Sequence, residues 1–298
     1  MTAIAWRGMS IEEYAAFERS QGVPVLAVHG FYWMRVRPFF YRPLLPFREY
    51  PAVSVDYPAR ALLGGYQVAV PPGEGSNSHM GMLLFREPLA YSLGGLAPSK
   101  RKQVRKAAAE FVVRPIDDVD EFKEDGYHVY LSFLDRTNYG YKSDRREKPN
   151  FDLWADSVFS APKILVFGAY RDGKLQGASI SRLVEDTVVS STMFSEGQAL
   201  IRNVNSLLLH ALREAASETP EVRQIFISMA SNSGRTSVEE FFLVRGCELV
   251  RMPALLRLNP LARLYLRLRM PRRYAALLGT LGDEGDSRPE TLDPEARA

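Results

Sequence analysis

The clearest periodic pattern lies in the second half of the chain, where short apolar runs alternate with amphipathic ones. Ile164–Tyr170 (ILVFGAY) is rich in strand formers and leads into Asp172-Gly173, a pair that supplies the positive φ angles of a tight hairpin. Leu175–Arg182 is then the returning strand, and Asp186–Met193 a third, closed by the turn formers Ser195 to Gln198. Leu207, Leu208, Leu209, Ala211, Leu212 and Ala215 recur at helical spacing, with Arg213, Glu214 and Glu218 on the wetter side. That spacing predicts an amphipathic helix from Asn205 to just before Pro220. Val222–Met229 reads as a strand, Thr236–Val244 as a helix started by Thr236 or Ser237 and stopped at Gly246, and Glu248–Leu258 as a last strand.

The first half is less regular. Ser10–Arg19 predicts a helix with Ser10 as cap and Glu13 completing a capping box, followed by a strand over Val23–His29. Phe31–Phe47 is dense in aromatic residues but interrupted by Pro38, Pro43 and Pro46. It predicts a packed irregular wall, with an acceptor groove or a membrane contact as alternatives. Tyr66–Val70 and Gly81–Phe85 read as strands around the turn-rich Pro71–Ser78. A helix opens at Pro98-Ser99, and Lys100, Arg101, Lys102, Arg105 and Lys106 crowd its first two turns, where cations oppose the helix dipole. A phosphate-bearing ligand explains that crowding, and so does a solvated face. Val112–Pro115 predicts a strand and Val119–Asn138 a further helix.

The order strand, hairpin, strand, helix, strand, helix, strand over Ile164–Leu258 resembles the GNAT acyltransferase superfamily. Residues Asn232–Leu249 (NSGRTSVEEFFLVRGCEL) look like its late asparagine, helix and glycine turn, with Cys247 where the family has phenylalanine. The pattern covers about one third of the chain. The basic helix and strand over Leu96–Pro115, the helix after them, and Phe242 before the final glycine resemble FemAB-like proteins, tandem GNAT-fold transferases that use aminoacyl-tRNA or acyl-CoA. The resemblance implies an α/β (α+β) fold of tandem GNAT-like lobes, with mixed central sheets flanked by helices. Residues 1–97 would form the first lobe, 98–260 the acyltransferase lobe, and 261–298 a basic amphipathic helix with an acidic tail.

It also implies a donor site. A strand feeding a helix start presents free N–H groups and a positive dipole end to the diphosphate of coenzyme A. The matching loop is Arg202-Asn203-Val204-Asn205-Ser206, with Asn203 and Asn205 where the family carries glycines. Asparagine tolerates the left-handed conformation that such a turn needs. A plain helix cap at Asn205 or Ser206 is the other reading. Many family members carry a tyrosine four residues before the glycine to protonate the leaving thiolate, and here that residue is Phe242, which cannot donate a proton. Leu243 replaces the lysine common in the peptidyltransferases of the FemAB-like group. The stretch Asp135–Arg146 precedes the acceptor cleft in that group, making Arg136, Tyr139 and Tyr141 candidate substrate contacts. Ser191 breaks the apolar alternation of its strand and is a further candidate. Glu185 and Glu196, near the central strands, are the carboxylates nominated as bases.

Composition adjusts this picture in a few places. The 298 residues suffice for two lobes of ordinary size, and 46% hydrophobic with 24% charged residues is globular. A formal charge of +3 does not by itself imply nucleic acid. Cys247, the one cysteine, excludes an internal disulfide and reads as a buried thiol. His29, His79, His128 and His210 are spread without metal-ligand spacing, so no metal is expected. Arg7, Glu12, Glu13, Glu18 and Arg19 interrupt the N terminus, which is unlike a secretory signal, and a cytoplasmic protein is expected, with the inner membrane face left open. Between Leu261 and Leu278, arginines interleave with leucines without acidic partners, which suits either an anionic membrane surface or packing on the body of the protein. The function implied is transfer of an acyl or aminoacyl group, from acyl-CoA or aminoacyl-tRNA, to a small-molecule or lipid-linked amine. A degenerate fold kept as a binding or scaffold protein is the alternative.

Overall fold

The computed structural model describes residues 6–279 apart from 138, 139, 141, 162 and 232–235. Its elements run β1 (Gly8–Met9), α1 (Ile11–Ser20), β2 (Val25–Val28), β3 (Phe31–Arg37), β4 (Phe40–Pro43), β5 (Gly65–Ala69) and β6 (Ser78–Arg86). There follow α2 (Pro98–Ala108), β7 (Val112–Pro115), α3 (Val119–Thr137), α4 (Lys148–Phe159), β8 (Ile164–Arg171), β9 (Lys174–Val184) and β10 (Thr187–Ser195). The chain continues through α5 (Gly197–Ile201), α6 (Val204–Ser217), β11 (Gln224–Met229), α7 (Ser237–Leu243), β12 (Glu248–Leu258), α8 (Pro260–Arg269) and α9 (Pro271–Leu278).

The described strands make one 12-stranded mixed sheet in the order β2-β3-β4-β5-β12-β6-β11-β10-β9-β8-β7, with β1 alongside β9. Local chemistry sets many of its boundaries. Asp172 (φ 52) and Gly173 (φ 75) turn β8 into β9, the two positive φ angles that a right-twisted hairpin requires. Ser10 and Glu13 form the expected reciprocal cap of α1, and Thr236 and Glu239 do the same for α7. The decisive pairing is non-local. Strand β6 lies antiparallel between β11 and β12, with Phe85 opposite Ile225 on one side and Leu83 opposite Leu249 on the other. The first half of the chain thus supplies the strand that joins two strands of the second.

Two apolar clusters cover the sheet beside this seam. On one face α1, α3 and α4 pack with Phe122, Tyr130, Phe151, Trp154 and Phe194 in mutual ring contact. On the other, α2, α6 and α7 contribute Val104, Leu208, Leu212 and Phe242.

Three expectations change. Phe31–Phe47 is largely a hairpin, β3 and β4, and not an irregular wall, because Pro38 falls at the turn and Pro43 at a strand end, where neither interrupts the ladder. The basic C-terminal helix is two helices, broken between Met270 (φ −137) and Pro271, since proline cannot continue the α8 hydrogen bonds. Gly197–Ile201 is a short helix in place of a plain turn, its start capped by Glu196. The acidic tail lies outside the described residues.

A chain starting at residue 98 would lack β6 and leave β11 and β12 each with an open edge. We expect it to be insoluble or to unfold without cooperativity in urea, followed by circular dichroism. A soluble fragment with a single sigmoidal transition would contradict the one-sheet arrangement.

Candidate active site

Strands β10 and β11 run parallel but pair only over Thr187–Val189 and Gln224–Phe226. Each then breaks register with its other neighbour, β10 between Ser190 and Thr192 and β11 between Phe226 and Ser228. An extra residue in a strand bends it, so two bulges at the same level drive the pair apart. Beyond Val189 and Phe226 no ladder pair joins them among the described residues, although β10 continues to Ser195 and β11 to Met229. The facing edge of β10 therefore offers backbone donors and acceptors to a ligand. The break in alternation at Ser190–Thr192 was the sequence trace of this bulge.

On the α1–α4 face a cavity of about 140 Å³ opens against the bulge, lined by Phe17, Glu18, Lys142, Trp154, Arg182 and Ser191 among others. Arg182 organises it. Its Nη2 donates to Glu18 Oε1 at 2.6 Å and its Nη1 to Ser191 Oγ at 3.3 Å, while Ser191 Oγ donates to the Ile180 carbonyl. The guanidinium also lies 4.9 and 4.8 Å from the ring centroids of Tyr14 and Phe17. The pair is well removed from water, with 5% of the Arg182 side chain and 13% of Glu18 exposed. Burial, opposed in part by Arg182, pushes the Tyr14 hydroxyl up to about 12, so it stays a proton donor. Arg145 stacks 4.2 Å from Trp154 at the rim. Glu18 is the one carboxylate among the cavity's lining residues, beside the cations of Lys142, Arg145 and Arg182.

The α6 start lies at the end of the sheet where β10 finishes. Asn203 adopts the left-handed conformation (φ 66, ψ 29), the turn expected of it. Val204 and Ser206 are buried, and Asn205 Oδ1 is buried without a protein partner. Arg202 Nη1 lies 2.6 Å from Glu110, with Arg171 at 3.7 Å, and Lys106 contributes a third positive charge. Arg202, Arg171 and Lys106 against Glu110 and Asp172, which pairs with Arg171 at 3.6 Å, leave this corner one charge positive, and the Arg202 hydrogen bond holds Glu110 below its ordinary carboxylate range. Ser206 Oγ accepts from Arg245, which also bonds Gln103 of α2 and the Phe241 carbonyl. Arg245 thereby fastens α2 and α7 to the first turns of α6.

The other candidates are placed as follows. Arg136 Nη2 reaches the Ser195 carbonyl at 3.4 Å, at the far end of β10. Tyr139, Tyr141 and Asn232 lie outside the described residues. Glu196 Oε2 caps α5, accepting from the amides of Gln198 and Ala199. Glu185 occupies the β9–β10 turn with φ 54 and pairs with Arg48 at 2.8 Å. The nine residues of β10 separate Glu185 from Glu196 by about 30 Å, so one site cannot use both. Phe242 is core, and burial pushes the Cys247 thiol up to about 12. Among the described residues no group of three His, Cys, Asp or Glu is arranged to hold a metal ion, and no helix is long and apolar enough to cross a membrane. Sequence reasoning missed Glu18 and Arg182, which come together only in the fold.

No protein family and no curated protein matches the sequence. Solved structures do match in fold. FemX superposes with a TM-score of 0.57 at 9% identity, covering 86% of this chain and 93% of its own. The C-terminal DUF2156 domain of a protein assigned as a lysylphosphatidylglycerol synthetase of Agrobacterium fabrum gives 0.56 at 12%, covering 90% and 93%. L-PGS from Bacillus licheniformis gives 0.51 at 12%, covering 90% and 96%. The chain therefore shares the mixed α/β architecture of FemX and of these synthetase structures. At these identities the likeness concerns the architecture and carries no substrate across.

Two results are expected here. Arg182→Met leaves Glu18 buried without its partner and should cost about 3–5 kcal/mol in urea unfolding, with a smaller loss in Glu18→Leu/Arg182→Met. Native Cys247 should resist iodoacetamide at pH 8 and react at the ordinary rate only in urea. A wild-type melting curve for Arg182→Met, or fast native alkylation, would contradict these placements.

Proposed function

We propose that the protein is an N-acyl- or aminoacyltransferase whose donor lies along the open edge of β10, with its phosphates at the α6 start and its amine acceptor in the cavity beside Ser191. The observation that carries this reading is the parting of β10 from β11, with a charged cavity on one face and a cationic helix start on the other. A donor arm bearing amides, such as that of coenzyme A, can pair with an unpartnered strand edge as an added strand does. The α6 amides, with Arg202, Arg171 and Lys106 nearby, suit its phosphates. One similar structure comes from a protein assigned as a lysylphosphatidylglycerol synthetase, a name that joins an aminoacyl group to a lipid, which supports the transferase class.

In the proposed reaction the acceptor nitrogen attacks the acyl carbonyl carbon and its proton passes to Glu18. The carbon–sulfur bond of a thioester, or the carbon–oxygen bond of an ester, breaks. The β10 edge amides face the oxygen on which charge develops, and holding the two reactants in line supplies much of the acceleration. Because Phe242 cannot protonate the leaving group, water does so. The cations of Lys142 and Arg145 favour an acceptor that also bears a carboxylate or phosphate. A second reading, an aminoacyl-tRNA donor, is favoured by Lys102, Arg105 and Lys106, which project together from the exposed side of α2.

Coenzyme A at about 100 times its dissociation constant should stabilise the protein by roughly 2.7 kcal/mol in thermal denaturation. Lys106→Glu/Arg202→Glu should abolish that shift, whereas Glu18→Gln should keep it while lowering turnover about 10²–10⁴-fold. No shift with coenzyme A, together with binding of a tRNA acceptor minihelix that Lys102→Glu/Arg105→Glu removes, would move the donor to tRNA. No response to either ligand would leave the binding or scaffold reading.

A further inference from the structure

Three segments far apart in sequence bring unshielded apolar side chains to one corner of the molecule. Helix α8 exposes Leu261, Leu264, Tyr265 and Leu268, at 78, 55, 55 and 68% of their surface. Their spacing of three, four and seven residues places them on one stripe of the helix. The α8 cap ties this helix to a second apolar turn. Asn259 Nδ2 donates to the Leu62 carbonyl and the Asn259 amide to the Gly64 carbonyl, and Leu62 and Leu63 are 60 and 62% exposed. The adjoining Gly65 amide donates to the carbonyl of Phe39, which is 44% exposed at the β3–β4 turn. Hydrogen bonds therefore hold the three apolar edges next to one another.

The segments that form this corner carry charges of one sign. Residues 31–48, 57–73 and 249–282 contain no aspartate or glutamate. Arg37, Arg60, Arg257, Arg263, Arg267 and Arg269 are exposed in the same segments. Helix α9, which follows, is docked by its C-terminal end, where the Leu277 carbonyl accepts from Gln67 Nε2 and Gly279 abuts His79. The apolar stripe of α8 thus rides on an anchored element and is left outward.

We propose that this corner is a docking surface for an anionic lipid bilayer, with α8 lying in the interface, its leucines and the Leu62–Leu63 turn among the acyl chains, and its arginines at the lipid phosphates. Apolar residues whose own segments carry arginines and, among the described residues, no carboxylate fit that occupant, because a buried protein partner would have to supply many carboxylates to offset the charge. The inference is independent of the proposed chemistry, since it reads binding with no donor or acceptor present.

The test is flotation of the full chain with vesicles of phosphatidylcholine alone and of phosphatidylcholine with 30% phosphatidylglycerol, a composition of the order used to mimic anionic leaflets. We expect flotation only with the anionic vesicles, at least a tenfold loss of bound protein for Leu264→Glu/Leu268→Glu, and a comparable loss for Leu62→Glu/Leu63→Glu. Both pairs are exposed, so unchanged thermal denaturation should accompany the loss. Absence of flotation for the wild type, equal flotation with neutral vesicles, or full retention in either double variant would overturn the proposal. So would a self-associated wild type that binds no vesicles and becomes monomeric in Leu264→Glu/Leu268→Glu, which would make the corner a contact between copies of this chain.

Discussion

Strand β6 is hydrogen-bonded on both edges by strands that come much later in the chain, and the rest of the architecture depends on that placement. With β6 between β11 and β12, the two halves cannot separate without opening the middle of the sheet. Its neighbour β11 is then fixed on one side by an antiparallel ladder and is free to leave β10 on the other. A parallel pair must be joined by a crossover, here α5 and α6, and the crossover starts where β10 ends. The end at which β10 and β11 part is therefore also the end at which a helix presents its unbonded amides. The proximity of strand edge and helix start is a consequence of topology.

Buried guanidinium groups hold the neighbourhood of this opening in place. Burial lowers Arg42 and Arg245 to about 10, and both remain cations near neutral pH. Neither has a carboxylate ion-pair partner among the described residues. The Nη atoms of Arg245 donate to a carbonyl, an amide and a hydroxyl from three helices and the Phe241 ring lies 3.9 Å away, while its Nε is buried without a hydrogen-bond partner. Arg42 donates to Gln67 and to Met229 Sδ, linking β4 and β5 to the free end of β11. Hydrogen bonds to fixed dipoles keep a desolvated cation tolerable while leaving its charge available to nearby anions. Arg182 differs in having Glu18, so the cavity contains a paired charge and a polar route to Ser191.

Local pattern made the second half legible. The hairpin at Asp172-Gly173, the start of α7 at Thr236 and the extent of β12 follow from turn and cap chemistry that acts within a few residues, as does the Ser10–Glu13 capping box in the first half. Helix α4 was missed, although Phe151, Trp154, Ala155 and Val158 carry a helical spacing that a window over Lys148–Phe159 would have shown. The β3–β4 hairpin was hidden because its prolines fall at positions where they do not interrupt pairing. Nothing local announced β6 as an inserted strand, since register between distant segments is settled by the packing of whole faces. The site divides the same way. Ser191 and the left-handed Asn203 were visible as breaks in pattern or as a turn requirement. Glu18 and Arg182 are 164 residues apart and look like ordinary surface charges until the fold closes on them. Glu185 and Glu196 stood out by nearness to strand ends, where turns and caps also need carboxylates.

The central claim is that the open edge of β10 and the start of α6 form one donor-binding track. Hydrogen–deuterium exchange of the backbone amides, with and without saturating coenzyme A, tests it most directly. The account predicts slowed exchange at the alternate amides of Ser190–Ser195 that face β11 and at Val204 and Asn205, with the β9-facing amides of β10 already protected and unchanged. Exchange that is identical in both segments with and without the ligand, or protection confined to other parts of the sheet, would contradict it.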